Sequence, residues 1–158
     1  MFKTAFLALF LLVTGVIQAQ YLEYSEMMEV LDKARDTSAV SRYLTEKRFI
    51  LNSAEAGELG YNLLFEAIGT DDDYFVGLYE DRENGIYTVI EYTKNPGRWD
   101  AYIRAAKRND FALSGMKDHG DGVNSFTYMK GEMLMSLWIF KKEDGARYQF
   151  SFSKEIVE

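Results

Sequence analysis

The sequence predicts an α+β fold of two tandem units, each an αββββ-like repeat whose antiparallel sheet carries helices packed on one face. Three observations predict it. The first is an internal duplication with a period of about 60 residues, the mark of a structure assembled from similar units. Residues 42–94 lie over residues 104–154, matching Arg42 with Arg104, Phe49 with Phe111, Leu51 with Leu113 and Asn62 with Asn124. A two-residue deletion then brings Glu83-Asn84-Gly85 over Glu143-Asp144-Gly145, and Tyr92-Thr93-Lys94 over Phe152-Ser153-Lys154. The second is that both Gly-containing triplets separate apolar, aromatic-rich runs, which is strong hairpin chemistry. The third is that apolar residues recur at helical spacing ahead of each set of runs.

The chain begins with a targeting segment. Lys3 supplies a short positive region, residues 5–17 are almost wholly apolar, and Ala19 puts a small residue before an expected cleavage at Gln20. This apolar stretch is short for a membrane span, which needs about 20 residues. The sequence thus divides into a signal peptide at 1–19, a first α/β repeat at 20–95 and a second at 96–158, both repeats forming one compact domain. After cleavage no run of spanning length remains, so no membrane insertion is expected. About 140 residues are enough for one core without staples. The absence of cysteine in an exported chain suits a bacterial periplasmic or secreted protein.

In the first repeat, Tyr24, Met27, Met28, Leu31 and Ala34 form one helical stripe, with Ser25 as the expected cap. Asp36-Thr37-Ser38 interrupts the stripe and caps a second helix at about 38–47, which buries Val40, Tyr43 and Leu44. Strands are expected at 48–53, 61–68, 74–80 and 86–94, bounded by glycines and by the acidic turn at 69–73. Asn95-Pro96-Gly97 ends the unit. The second repeat opens with a helix near 99–108, whose Trp99, Tyr102, Ile103 and Ala106 share a face. Strands follow at 111–114, 123–130, 132–141 and 146–154.

Period-2 alternation assigns the faces. Tyr148, Phe150 and Phe152 are expected under the helices, and the alignment puts Thr88, Ile90 and Tyr92 with them. Tyr87, Val89, Glu91 and Thr93 are then expected on the open face, beside Arg147 and Gln149. The run 133–140 is apolar on both alternate sets, so it is expected to be a central strand covered on both sides. Self-association or a partner protein could supply the second cover.

A helical start followed by four antiparallel strands, twice over, resembles the β-lactamase inhibitory proteins. In that family two such units set their sheets side by side, and a concave face grips a partner protein. The resemblance lies in element order across residues 25–154. The chain departs from that family in lacking cysteines and in having one helix, not two, after Pro96. The resemblance implies an architecture; it carries over no binding residue.

Composition and motifs exclude several activities. With 18 basic and 25 acidic residues the net charge is −7, a field that repels phosphate backbones, so no nucleic-acid partner is expected. The one histidine, His119, falls in a polar, glycine-rich segment expected to be a solvated turn, and no Gly-x-Ser-x-Gly elbow is present. Zinc needs about four converging ligands that this composition does not offer. The acidic turns 71–73 and 118–121 lack the spacing of a calcium loop, and no phosphate-binding glycine loop occurs. Twenty-five acids make some carboxylate pair inevitable, so Glu66, the one charge in an apolar run, reads as solvent-facing rather than catalytic. No catalytic residue, metal or cofactor is therefore expected.

What remains is an exported, non-catalytic protein-binding module acting through an aromatic-bearing sheet face. Its candidate contacts are Tyr87, Val89, Tyr128, Trp138 and Arg147, with the acidic turn 71–73 at the rim. Aromatic and Arg side chains are favoured interface anchors. A carrier of a small apolar ligand, held between sheet and helices, is the alternative; a hydrolase built on an acid pair ranks below both.

Overall fold

The computed structural model describes residues 21–70 and 73–156; the signal peptide expected at 1–19 lies outside them. Two helices, α1 (Tyr24–Asp32) and α2 (Thr37–Glu46), precede β1 (Phe49–Gly57), β2 (Gly60–Ala67), β3 (Phe75–Asp81) and β4 (Ile86–Thr93). Helix α3 (Gly97–Arg108) then leads into β5 (Ala112–Gly120), β6 (Val123–Lys130), β7 (Met133–Lys142) and β8 (Gly145–Glu155). The architecture is α+β, as the sequence predicts. All eight strands join one antiparallel sheet, in the order β1-β2-β3-β4-β8-β7-β6-β5. Two meanders thus meet along β4 and β8, whose register runs from Ile86 opposite Glu155 to Thr93 opposite Tyr148.

Helix ends follow local chemistry. The Asp36 carboxylate accepts from the amides of Ser38 and Ala39, each at 3.0 Å, and so starts α2. Helix α1 begins two residues earlier than expected. Its cap is Glu23 rather than Ser25, because Glu26 reaches back to accept from the Glu23 amide at 2.7 Å.

The helices cover one face of the sheet, and the core lies between them. Met27, Val30, Leu31, Val40 and Leu44 from α1 and α2 are buried with Phe65, Val76, Leu78, Val89, Met135, Leu137, Phe150 and Phe152 from the strands. Tyr102 of α3 packs on Phe150 at a centroid distance of 4.3 Å, and Trp99 packs on Phe126 at 5.2 Å. Burial of these side chains is the main source of stability.

The face assignment of β8 stands and that of β4 is reversed. Tyr87, Val89, Glu91 and Thr93 face the helices; Thr88, Ile90 and Tyr92 face away. Residues alternate face at every step, so laying β4 on β8 with the helix side inward requires an odd offset. The sequence alignment uses an even one there. Glu91 is the physical reason: a lone carboxylate in a strand reads as solvent-facing, yet here it is 0% exposed because Arg98 is its partner.

Strand β5 runs on to Gly120, through the segment expected to be a turn. It is an edge strand exposed along its length, so polar residues there carry no alternation to read. Strand β7 is internal, with Met135 and Leu137 fully buried beneath the helices. Its other set, Leu134, Ser136, Trp138 and Phe140, is half-buried, and no second layer covers it among the described residues.

Candidate functional site

Two places concentrate polar chemistry or open space. The first is a buried cluster where α3 meets β4. Arg98 donates from Nε to Glu91 Oε1 and from Nη2 to Oε2, both at 2.7 Å. The Tyr102 hydroxyl also donates to Glu91 Oε2, and the Tyr74 hydroxyl donates there at 3.2 Å. Arg98 Nη2 reaches the Leu22 carbonyl, while the Leu22 amide donates to the Tyr74 hydroxyl at 3.0 Å. Burial first, and the Glu91 charge next, hold both tyrosines un-ionised well above their ordinary range. Arg98 pays a desolvation cost, but its hydrogen bonds to Glu91 outweigh it and keep the guanidinium charged. Every carboxylate oxygen is already matched by a donor, which is what burial of a charge requires. This cluster stitches the start of the domain, β4 and α3 together.

The second place is a groove on the uncovered face, with a volume of about 540 Å³. Ladder register explains its shape. Leu64, Gly77, Ile90, Ser151, Ser136 and Thr127 form one row across six strands. On one side runs the row Phe75, Tyr92, Gln149 and Trp138; on the other, Asn62, Tyr79, Thr88 and Ser153. Gly77, with no side chain between Phe75 and Tyr79 on the same face of β3, leaves a hollow in the central row. The groove occupies its β2–β3–β4 end, with Leu64, Gly77 and Ile90 as floor and Phe75, Tyr79 and Tyr92 as walls. Phe140, Arg147 and Lys142 extend the lining toward β7 and β8.

Charge gathers at that far end. Lys94 Nζ lies 2.6 Å from Asp73 Oδ2, and Arg147 lies 3.7 Å from the same oxygen. Arg147 also pairs with Asp144 at 2.7 Å. The hydrogen bond from Lys94 is the main reason the Asp73 carboxyl sits below its usual range. Among the described residues Asp73 is the one carboxylate lining the groove, against Lys94, Lys142 and Arg147.

The candidate contacts divide between the two faces. Trp138 and Arg147 lie on the uncovered face, near one another, since Arg147 is opposite Phe140, two residues from Trp138. Val89 is 0% exposed in the core, and the Tyr87 hydroxyl donates to Glu80 at 3.0 Å on the helix side. Tyr128 stands opposite Met135 and packs against the core. These three therefore do not line an open-face surface. Residues 71 and 72 of the acidic turn lie outside the described residues; Asp73 is at the groove. Glu66 faces the uncovered side and accepts from Asn52 Nδ2 at 3.1 Å. His119 Nε2 is 2.8 Å from Ser125 Oγ, and its ring stacks on Trp138 at 4.7 Å.

The residues that sequence reasoning missed are Phe75, Gly77, Tyr79, Ile90 and Tyr92. A signal for the floor was present: a glycine inside a strand marks a missing side chain or a close approach. Space between sheet and helices, expected for a carried ligand, is filled by the core. A smaller cleft of about 250 Å³ lies between the start of α1 and α3, where Arg104 and Arg108 line it beside Arg98. Among the described residues, no group of three or more His, Cys, Asp or Glu could hold a metal ion, and no helix is long and apolar enough to cross a membrane. No protein-family model, curated protein or solved structure matches the chain.

Proposed function

We propose that this chain is an exported, non-catalytic binding module that takes its ligand in the groove on the uncovered sheet face. The observation that carries the reading is the trough: a floor of Leu64, Gly77 and Ile90 with aromatic walls, opening to solvent. Its volume falls within the roughly 300–1,000 Å³ of small-molecule sites, and its mostly apolar lining with a few polar groups is their usual chemistry. A hydrolase based on two facing acids finds little support, because the lining carboxylate Asp73 is held by Lys94 and Arg147. Export rests on the leader read from residues 1–19. Native mass spectrometry of freshly purified protein tests the carrier reading. A retained small molecule that Gly77→Val abolishes supports it; a bare mass with either chain counts against it.

A protein partner is the second reading, favoured by Trp138 and Phe140, whose rings stack beside the groove at 6.1 Å. Cross-linking in periplasmic extract that loses its product with Trp138→Ala, but not with Gly77→Val, would move the function to that patch.

We also propose that the sheet descends from two αββββ-like units, as the duplication suggests. The mirror order of strands about β4 and β8 supports this, once the alignment is shifted by one residue in the later strands. A side-by-side pair of such sheets is the arrangement that the resemblance to the β-lactamase inhibitory proteins implies.

A further inference from the structure

We infer that the groove selects a small amphiphilic carboxylate, its apolar or aromatic body over Gly77 and its head group at the Lys142–Arg147 end. The inference rests on the binding reading above and adds the ligand's chemical class. Three features of the groove carry it.

The first is polarity along its length. Leu64, Gly77 and Ile90 form the floor at one end, and the cations Lys94, Lys142 and Arg147 stand at the other. A ligand that satisfies both ends is itself two-ended. The second is the sign of the charge. A cationic head group would meet Asp73, already held by Lys94 at 2.6 Å and by Arg147 at 3.7 Å. An anion meets cations instead, in a protein whose net charge is −7. The third is the amount of charge. Lys94, Lys142 and Arg147 are opposed by Asp73 and by Asp144, which pairs with Arg147 at 2.7 Å. Among the described residues one positive charge is left over, and Lys142 has no ion pair there. A carboxylate meets the Lys142 ammonium with a single charge. The Arg147 fork can still offer donors to a planar carboxylate while touching Asp144.

Gly77 makes the body's place testable. A Cβ there would lie 3.7 Å from the Leu63 carbonyl oxygen and 3.8 and 3.9 Å from side-chain carbons of Leu64 and Ile90, ordinary contact distances. Gly77→Val should therefore fold while raising the floor into the groove.

Isothermal titration of the purified protein at low salt with decanoate, decyltrimethylammonium and 1-decanol, all as monomers, separates the possibilities. Decanoate should bind about tenfold more tightly than the cation, and 0.5 M salt should narrow the gap, since exposed charges are screened. The surface pair Lys142→Glu with Arg147→Gln should remove that preference while 1-decanol still binds. Gly77→Val should weaken all three; should it unfold, Tyr79→Ala, at an exposed wall, serves as the second variant. Equal affinity for all three ligands, lost with the floor or wall variants, would overturn the carboxylate inference and leave the groove as a neutral site. No binding of any ligand would overturn the inference and the small-ligand reading together.

Discussion

At the scale of single residues, Glu91 and Arg98 are the most consequential pair in the molecule. Glu91 is 0% and Arg98 7% exposed, so removing one partner strands the other in the core. Arg98→Met should cost about 3–5 kcal/mol by denaturant unfolding, and replacing both residues by Met should recover much of that loss. Tyr74 and Tyr102 set an alkaline limit. Their folded pKa values lie above the unfolded value of about 10, because burial and the Glu91 carboxylate disfavour the phenolate. Their contribution is therefore intact below pH of about 10 and falls as the unfolded chain loses protons that the folded chain keeps. The slope is about 1.4 kcal/mol per pH unit for each tyrosine. Thermal unfolding followed from pH 8 to 11.5 should show this decline, and Tyr102→Phe should flatten it. This cluster was not legible in the sequence. Glu91 reads as a surface charge, and nothing local to it reveals that Arg98 arrives from the next helix.

Among the elements, the register of β4 is the sharpest test. Val89 lies in the core and Thr88 on the uncovered face, opposite Ser153. Val89→Lys should unfold the domain or cost several kcal/mol, since a buried unpaired ammonium is not tolerated. Thr88→Lys should change stability by less than about 1 kcal/mol. The reverse result would reinstate the face assignment read from the sequence alignment. The start of β2 is similarly constrained. Gly60 has φ 141°, and a Cβ there would sit 1.9 Å from the Glu80 carbonyl oxygen. Gly60→Ala should thus destabilise by about 2 kcal/mol or more, from backbone strain and steric overlap together. The pairing of β3 with β4 and of β7 with β8 was legible from turn chemistry, because both hairpin tips carry their own residues. The extent of β5 was not, since an edge strand exposes both faces and shows no period.

Across the whole molecule, the two meanders share one sheet through β4 and β8, and the Arg98–Glu91 pair and Leu22 tie α3 to the first half. Unfolding should therefore be a single transition, with far-ultraviolet and near-ultraviolet circular dichroism coincident. Two separated transitions would show that the halves are independent domains. The uncovered face belongs to the same scale. Its groove exists because residues from β2, β3, β4, β7 and β8 align in rows across the sheet, and each strand alone shows only one or two of them.

Taken by itself, the sequence determined the class of fold, the order of elements and the place of most turns. Those depend on period, caps and glycines a few residues apart, which the chain carries locally. It also named Trp138 and Arg147 as candidate contacts, and both lie on the face away from the helices. Only the tertiary structure decided which face of β4 is buried, how Glu91 is neutralised and where open space remains. Each of these depends on side chains distant in sequence, brought opposite one another by strand pairing, and a one-residue change in that pairing exchanges inside for outside.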